Sequence, residues 1–296
     1  MAADAPRLSV SLDGVPETTL WTLYFRAKEA RRKNGPLQDP RAIELVDAID
    51  FPFATRFGNG VPAFGRMIGL RALTFDLIVN DVLRTDPDAL VVVLGEGLET
   101  QFWRVDNGRV RWFTVDLPET AEIRRRLLGE DPPRRRLFAG SALDEGWWAA
   151  LGAQPTDRVV VIAQGLLMYL QPAQVRGLIA RCAREFPGGV MAFDTVPRWF
   201  SLMMSSGRAK GPGGYVAPPM PWGVDVNRLA SRLRKEPGIA DARVVEPHAP
   251  DLPIRGALLA ARLLPPLRGL GPAVLRLDFA GKTQPPASGP GAANQS

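Results

Sequence analysis

Gly95-Glu96-Gly97 and Asp116 carry the clearest chemical signal in the chain. The glycines close a short apolar run, Leu90 to Leu94, and glycine lets backbone approach a ligand where a side chain would block it. Asp116 ends a second apolar run, Val110 to Val115, about twenty residues on, where an acid accepts the hydroxyls of a ribose. A turn followed by an acid at the next strand tip is the pattern of a nucleoside-binding βαβ unit. A dinucleotide fingerprint wants a third glycine, but Thr100 stands there, and no G-x-x-x-x-G-K-[ST] loop occurs. The pattern therefore favours a nucleoside without a diphosphate, a description that S-adenosylmethionine fits.

These residues need a parallel sheet to hold them. Apolar runs bounded by breakers predict strands at Leu90–Leu94, Val110–Val115, Arg136–Ala139, Arg158–Ala163, Val190–Phe193, Ala242–Val245 and Val274–Phe279, with helical patterns between most of them. Such alternation predicts an α/β fold with helices on both faces of a mostly parallel sheet. Residues 1–85 read as an N-terminal helical cap. Its first ten or so residues look loose, and helices are expected over Thr18–Lys33, after Asp39-Pro40, and over Phe64–Arg84. Residues 86–280 form the core, and 281–296, rich in Pro, Gly and Ser, read as a disordered tail. An aromatic and methionine-rich stretch, 197–224, breaks the rhythm and is expected to lie as a lid over the sheet's carboxyl edge.

Composition narrows the class. The 296 residues carry a formal charge of +6, one cysteine (Cys182) and one histidine (His248). A single cysteine excludes an internal disulfide framework and a thiolate metal cluster, and no spacing suggests a metal site. No apolar run spans a bilayer and no signal-peptide core is present, so a cytoplasmic protein without membrane association is expected. The basic excess admits a nucleic-acid partner. It is spread along the chain, however, and the runs Arg124–Arg126 and Arg134–Arg136 read as solvated faces, so none is expected. Cys182 falls in a helical pattern and reads as inert core.

The order and spacing of several segments resemble one family. Glu17-Thr18-Thr19 with Arg26-Ala27, Asp39-Pro40, Arg71, LGEGLETQFWR from Leu94, Val115-Asp116-Leu117-Pro118, GSALDEGWWAAL from Gly140, AQGLLMYL from Ala163 and PPMPWGVD from Pro218 together are similar to the leucine carboxyl methyltransferase family. This is a class I S-adenosylmethionine-dependent group, and the likeness is greatest to its bacterial branch of tetracenomycin-type polyketide O-methyltransferases. The resemblance runs from Glu17 to Phe279 and implies a Rossmann-like sheet.

It also implies roles. Arg71 would pair with the methionyl carboxylate of S-adenosylmethionine, with Arg26 a second basic contact. Gly95 and Gly97 would lie against the methionyl part, Asp116 would take the ribose hydroxyls, and Leu117 would flank the adenine. Ser141, Ala142 and Leu143 would meet the adenine edge. Gln164 and Gly165 would line the reaction region, followed by Met168 and Tyr169. Three positions depart from the family: Glu99-Thr100-Gln101 replaces its Asp-Thr-Arg, Ser141 replaces an acid, and Gln164 replaces a glutamate. Taken singly, the residues have plainer readings: Arg71 a surface cation, Asp116 a helix cap, Tyr169 a core aromatic, His248 a solvated loop residue.

Methyl transfer from a sulfonium requires alignment and exclusion of water more than a protein nucleophile. A phenol acceptor, with a pKa near 10, needs a general base, for which Tyr169 or His248 is the candidate; a carboxylate is already ionised at neutral pH. One histidine in the chain leans toward a carboxylate on a small aromatic or polyketide-like acceptor. A phenolic O-methyltransferase and a catalytically silent cofactor-binding relative are the alternatives. Oligomeric state is not legible.

Overall fold

The computed structural model describes residues 7–33, 35–60, 62–129, 131–207, 215–247 and 272–281. A seven-stranded sheet forms its centre. Its strands are β3 (Leu90–Leu94), β4 (Arg111–Asp116), β5 (Arg135–Ala139), β6 (Val159–Ala163), β7 (Val190–Thr195), β8 (Ile239–Val245) and β9 (Ala273–Phe279), in spatial order β5-β4-β3-β6-β7-β9-β8. β3 to β7 pair in parallel, and β9 runs antiparallel between β7 and β8. The seven runs expected from the sequence are these seven strands, with ends differing by three residues at most.

Near-continuous Val, Leu and Ile in β3 and β6 follow from burial on both faces. Side chains alternate between the faces, so Val92, Leu94 and Val161 enter one core with α8 (Pro172–Glu185) and α10 (Val226–Leu233). Val91, Val93 and Ile162 enter the opposite core with α4 (Pro62–Leu83), through Phe75, Ile78, Val79 and Val82. Cys182 is fully buried in the first core, and burial pushes its thiol up to about 12.

Ahead of the sheet, α1 (Glu17–Ala30), α2 (Pro40–Ala48) and α3 (Phe53–Phe57) pack around Leu20, Leu23, Phe25 and Leu45. Asp39 caps α2 as its type and the following proline suggest, accepting from the Ala42 N–H at 3.0 Å. This region is not wholly helical. β1 (Leu8–Ser9) and β2 (Ile49–Asp50) form a two-stranded parallel ladder, and Val10 and Leu12 are buried. The stretch expected to be loose is thus tied down from Leu8 onward, because its alternate apolar residues have a core to enter. His248, residues 208–214 of the insertion and the tail beyond Gly281 lie outside the described residues.

Candidate functional site

The strand order reverses between β3 and β6, and a crevice at such a switch point is where α/β sheets bind ligands. A cleft of about 520 Å³, counting its open mouth, lies there. Its walls come from the turns after β3 (Gly95, Gly97, Glu99) and β6 (Gln164, Gly165), from Arg71 on α4, and from a polar stripe of α1.

That stripe is Thr18, Thr22 and Arg26, four residues apart and therefore on one helix face, with Thr19 beside it. Threonines repeating at helical spacing on α1 were a readable signal of a polar face. Thr19 lies directly over the glycine turn: a Cβ on Gly97 would come within 2.9 Å of its Oγ1. Gly97 has φ +59° and Gly95 φ +64°, backbone that favours glycine.

Arg71 is held by one corner. Its Nη1 donates to Asp194 Oδ2 at 2.9 Å, while its Nε is buried and without a hydrogen-bond partner. The other oxygen of Asp194 accepts from the Gly165 N–H at 2.6 Å, so one carboxylate fixes both the cation and the β6 turn. Asp194 ends the apolar run of β7, and an acid at a strand tip was the available clue to it.

Gln164 presents a similar orphan. Its Nε2 donates to Glu99 Oε2 at 3.1 Å, and its Oε1 is buried without a partner. Burial pushes the Glu99 carboxyl up, but Arg26 and Arg104 more than offset this and hold it down at about 2. An ionised carboxylate only accepts, so the amide of Gln164 must turn its NH₂ toward Glu99 and its oxygen away. Arg26 is spent in the same network: Nε on Asp39 (2.9 Å), Nη1 on Glu99 (3.0 Å), Nη2 on the Leu98 carbonyl (2.7 Å). Arg104 bridges Asp39, Asp76 and Glu99.

Asp116 stands at the tip of β4, beside the turn. Its Oδ2 accepts from the Gly97 N–H at 2.5 Å and its Oδ1 from the Leu117 N–H at 2.9 Å. Burial pushes its carboxyl up to about 6, against the pull of the Gly97 N–H and Arg124. Each oxygen keeps a lone pair for a further donor. Leu117, Ser141, Ala142 and Leu143 continue along the strand tips, outside the cleft lining. The Gly140 N–H bonds the Asp116 carbonyl at 2.7 Å, and the Ser141 Oγ accepts from the Leu143 N–H at 3.1 Å. Leu143 is partly exposed.

Of the residues expected at the site, the structure therefore gathers Arg26, Arg71, Gly95, Gly97, Gln164 and Gly165 in one cleft and couples Asp116 to it through Gly97. Tyr169 lies just beyond, its hydroxyl against Thr18, and burial pushes it up to about 12. It flanks an apolar cluster of Met168, Val196, Met204 and Met220, to which Phe200 of α9 (Arg198–Ser205) also packs.

Two arginines expected on solvated faces are in fact buried. Arg124 on α6 (Pro118–Leu128) and Arg135 on β5 both pair with Glu96, the middle residue of the turn, at 3.1 Å. The other members of each run are more exposed, so a run of like charges concealed one inward residue each time. Among the described residues no His, Cys, Asp and Glu side chains group as a metal site, and no helix is long and apolar enough to cross a membrane.

The sequence and fold place this arrangement among known proteins. Residues 19–183 match the model of the leucine carboxyl methyltransferase family. The chain is 33% identical over 259 residues to the tetracenomycin polyketide synthesis O-methyltransferase TcmP of Streptomyces glaucescens, covering 80% of this chain and 90% of that protein. It is 30% identical to the S-adenosyl-L-methionine-dependent methyltransferase dpfgK of Gibberella zeae, over 60% of this chain and 63% of the relative. A crystal structure of a candidate methyltransferase from Thermobifida fusca superposes with a TM-score of 0.55 at 13% identity, covering 88% of this chain and 94% of that one, a likeness of fold. The chain belongs to the leucine carboxyl methyltransferase family.

Proposed function

We propose that this protein transfers the methyl group of S-adenosylmethionine to an oxygen of a small aromatic or polyketide-like acceptor, at a carboxylate. The buried, unpartnered Nε of Arg71 at the head of the cleft carries this reading. A partly buried guanidinium at the cleft wall with a spare donor is set to meet a carboxylate, and its Nη1 is already oriented by Asp194. The donor's amino-acid end brings such a carboxylate. Gln164 Oε1 would accept from its ammonium and Asp116 from its ribose hydroxyls, on either side of the glycine turn.

When bound, S-adenosylmethionine supplies a methyl group on a positively charged sulfur, open to in-line attack by an acceptor oxygen. The protein's part is alignment and exclusion of water. The α1 threonines and the Gly97 turn close one side, and the Met168–Met220 cluster, with the described parts of the insertion (197–207 and 215–224) as a lid, offers the acceptor an apolar wall. Methionine adapts to flat aromatic surfaces.

Tyr169 keeps its proton at neutral pH, since burial holds its phenol at about 12. Its hydroxyl is held by Thr18 beside the apolar wall, where it shapes the acceptor's pocket rather than serving as base. A carboxylate acceptor requires none, which favours ester formation over phenol etherification.

The test incubates the protein with methyl-labelled S-adenosylmethionine and a panel of aromatic acids and phenols. Base-labile methyl esters are expected. Phenol ethers alone would reject the carboxylate and return His248 as the base to examine. No binding of the donor or its demethylated product in calorimetry would leave the silent-relative reading in place.

A further inference from the structure

The Gly97 peptide is held from both sides. Its N–H donates to Asp116 Oδ2, and its carbonyl accepts from Arg124 Nη1, which also bonds the Glu99 carbonyl at 3.0 Å. Arg124 is 2% exposed, and its far nitrogen, Nη2, lies 3.1 Å from Glu96 Oε1. Glu96 is itself pinned by Arg135 and by the Thr114 hydroxyl, and Arg135 by Asp131. The planar guanidinium thus places one nitrogen on two carbonyls and another beside a carboxylate.

We propose that Arg124 is a positioning residue for the nucleoside end of the cleft: it sets the Gly97 peptide against Asp116 and keeps a cation beside that carboxylate, so that both are preset to receive two ribose hydroxyls. This rests on the reading of Asp116 as the ribose acceptor. Burying a guanidinium is costly, and burial pushes Arg124 down to about 10. The cation persists there because Glu96 faces it.

The groups facing Asp116 are few. From the turn come the Gly97 N–H and the Glu96 carboxylate, from the start of α6 the Leu117 N–H, and from within α6 Arg124. Arg124 favours the charged form of Asp116 and Glu96 opposes it. Removing either must move the titration of Asp116 in opposite directions, a pattern that loss of packing does not produce. An opposite charge nearby typically displaces a carboxyl by about 1–3 pH units.

The experiment measures the affinity of S-adenosylhomocysteine by calorimetry from pH 5 to 8.5, alongside a carbon-13 NMR titration of the Asp116 carboxyl in the free protein. The wild type should show a midpoint near 6, absent in Asp116→Asn. Arg124→Met should raise the midpoint by about one unit or more and Glu96→Gln should lower it. Arg124→Lys should keep the midpoint near that of the wild type but weaken binding at every pH, because one ammonium cannot hold both carbonyls and face Glu96 at once. A wild-type midpoint that neither Arg124→Met nor Glu96→Gln displaces overturns the proposal while leaving the cofactor reading intact. If the wild type does not bind, the cofactor reading fails instead, and the NMR titration still decides whether Arg124 and Asp116 are coupled. Should Arg124→Met not fold, Glu96→Gln and Arg124→Lys carry the same decision.

Discussion

Replacing Arg71 by Met should separate its two partners, Asp194 and the donor. A hydrogen bond to a charged group contributes about 1.5–3 kcal/mol, so losing the Nε contact to the donor's carboxylate should weaken its binding roughly ten- to a hundred-fold. The same substitution strips Asp194 of the Nη1 bond and leaves a carboxylate whose side chain is 3% exposed with only the Gly165 N–H. Breaking a buried pair from one side costs about 3–5 kcal/mol, and the lower end applies because the Arg71 side chain is 17% exposed. Stability and affinity therefore fall together in the single variant. The double variant Arg71→Met, Asp194→Asn removes the stranded charge and should recover most of the stability, read by urea unfolding, without recovering donor affinity, read by calorimetry. If affinity returns along with stability, Arg71 is only the ion-pair partner of Asp194, and its anchoring role is refuted.

The raised carboxyl of Asp116 sets two opposite pH dependences. Its folded form holds a proton up to about pH 6, so its share of stability is fully present below the ordinary carboxyl value and is lost as pH rises through 6. Donor affinity should rise over that same window, by about ten-fold between pH 5 and 7 for a midpoint of 6; both trends are measured against Asp116→Asn, and their moving in the same direction would contradict the assignment. Gly97→Ala should lose donor binding through about 1 kcal/mol of left-handed backbone strain plus contact with Thr19, whose Oγ1 and Cγ2 lie 2.9 and 3.0 Å from the new methyl. Adding Thr19→Ala should restore the contact part alone, as seen in the donor's dissociation constant. Tyr169→Phe should change the acceptor KM by no more than about five-fold, the worth of roughly 1 kcal/mol for the one hydrogen bond lost to Thr18, with donor affinity unchanged. A thousand-fold fall in kcat would instead make Tyr169 the base.

The sheet was legible because its strands are buried on both faces and so carry unbroken apolar runs, from Leu90–Leu94 to Val274–Phe279. Gly95 and Gly97 were legible for a different reason: they are backbone-level features of a strand tip, fixed by local sequence, whereas Gln164 and Gly165 were reached only through the family resemblance. Asp194, Arg124 and Glu96 were not legible as partners. Their roles depend on side chains reaching across 123, 27 and 39 residues of chain, to Arg71, the Gly97 carbonyl and Arg135 respectively. Such pairings leave no periodic mark. The β1–β2 ladder was hidden by length, since two residues per strand are too few to show alternation.

The glutamine at position 164 changes the electrostatics less than its type suggests. A glutamate there would put a charge at the cleft wall to meet the positive end of the donor; Gln164 brings none. Behind it, 3.1 Å from its NH₂, stands Glu99, ionised and buried. The surrounding network counts three carboxylates, Asp39, Asp76 and Glu99, against two guanidiniums, Arg26 and Arg104. Burial pushes the Asp76 carboxyl up while Arg104 pulls it down, and of the three carboxylates it is Glu99 that lines the cleft. The amide thus works as a relay: its NH₂ takes the carboxylate's acceptor capacity, and its carbonyl hands that polarity on to the cleft. What the chain gives up in direct charge it recovers in direction, because Glu99 permits only one orientation of the amide, with the acceptor oxygen turned away from the network.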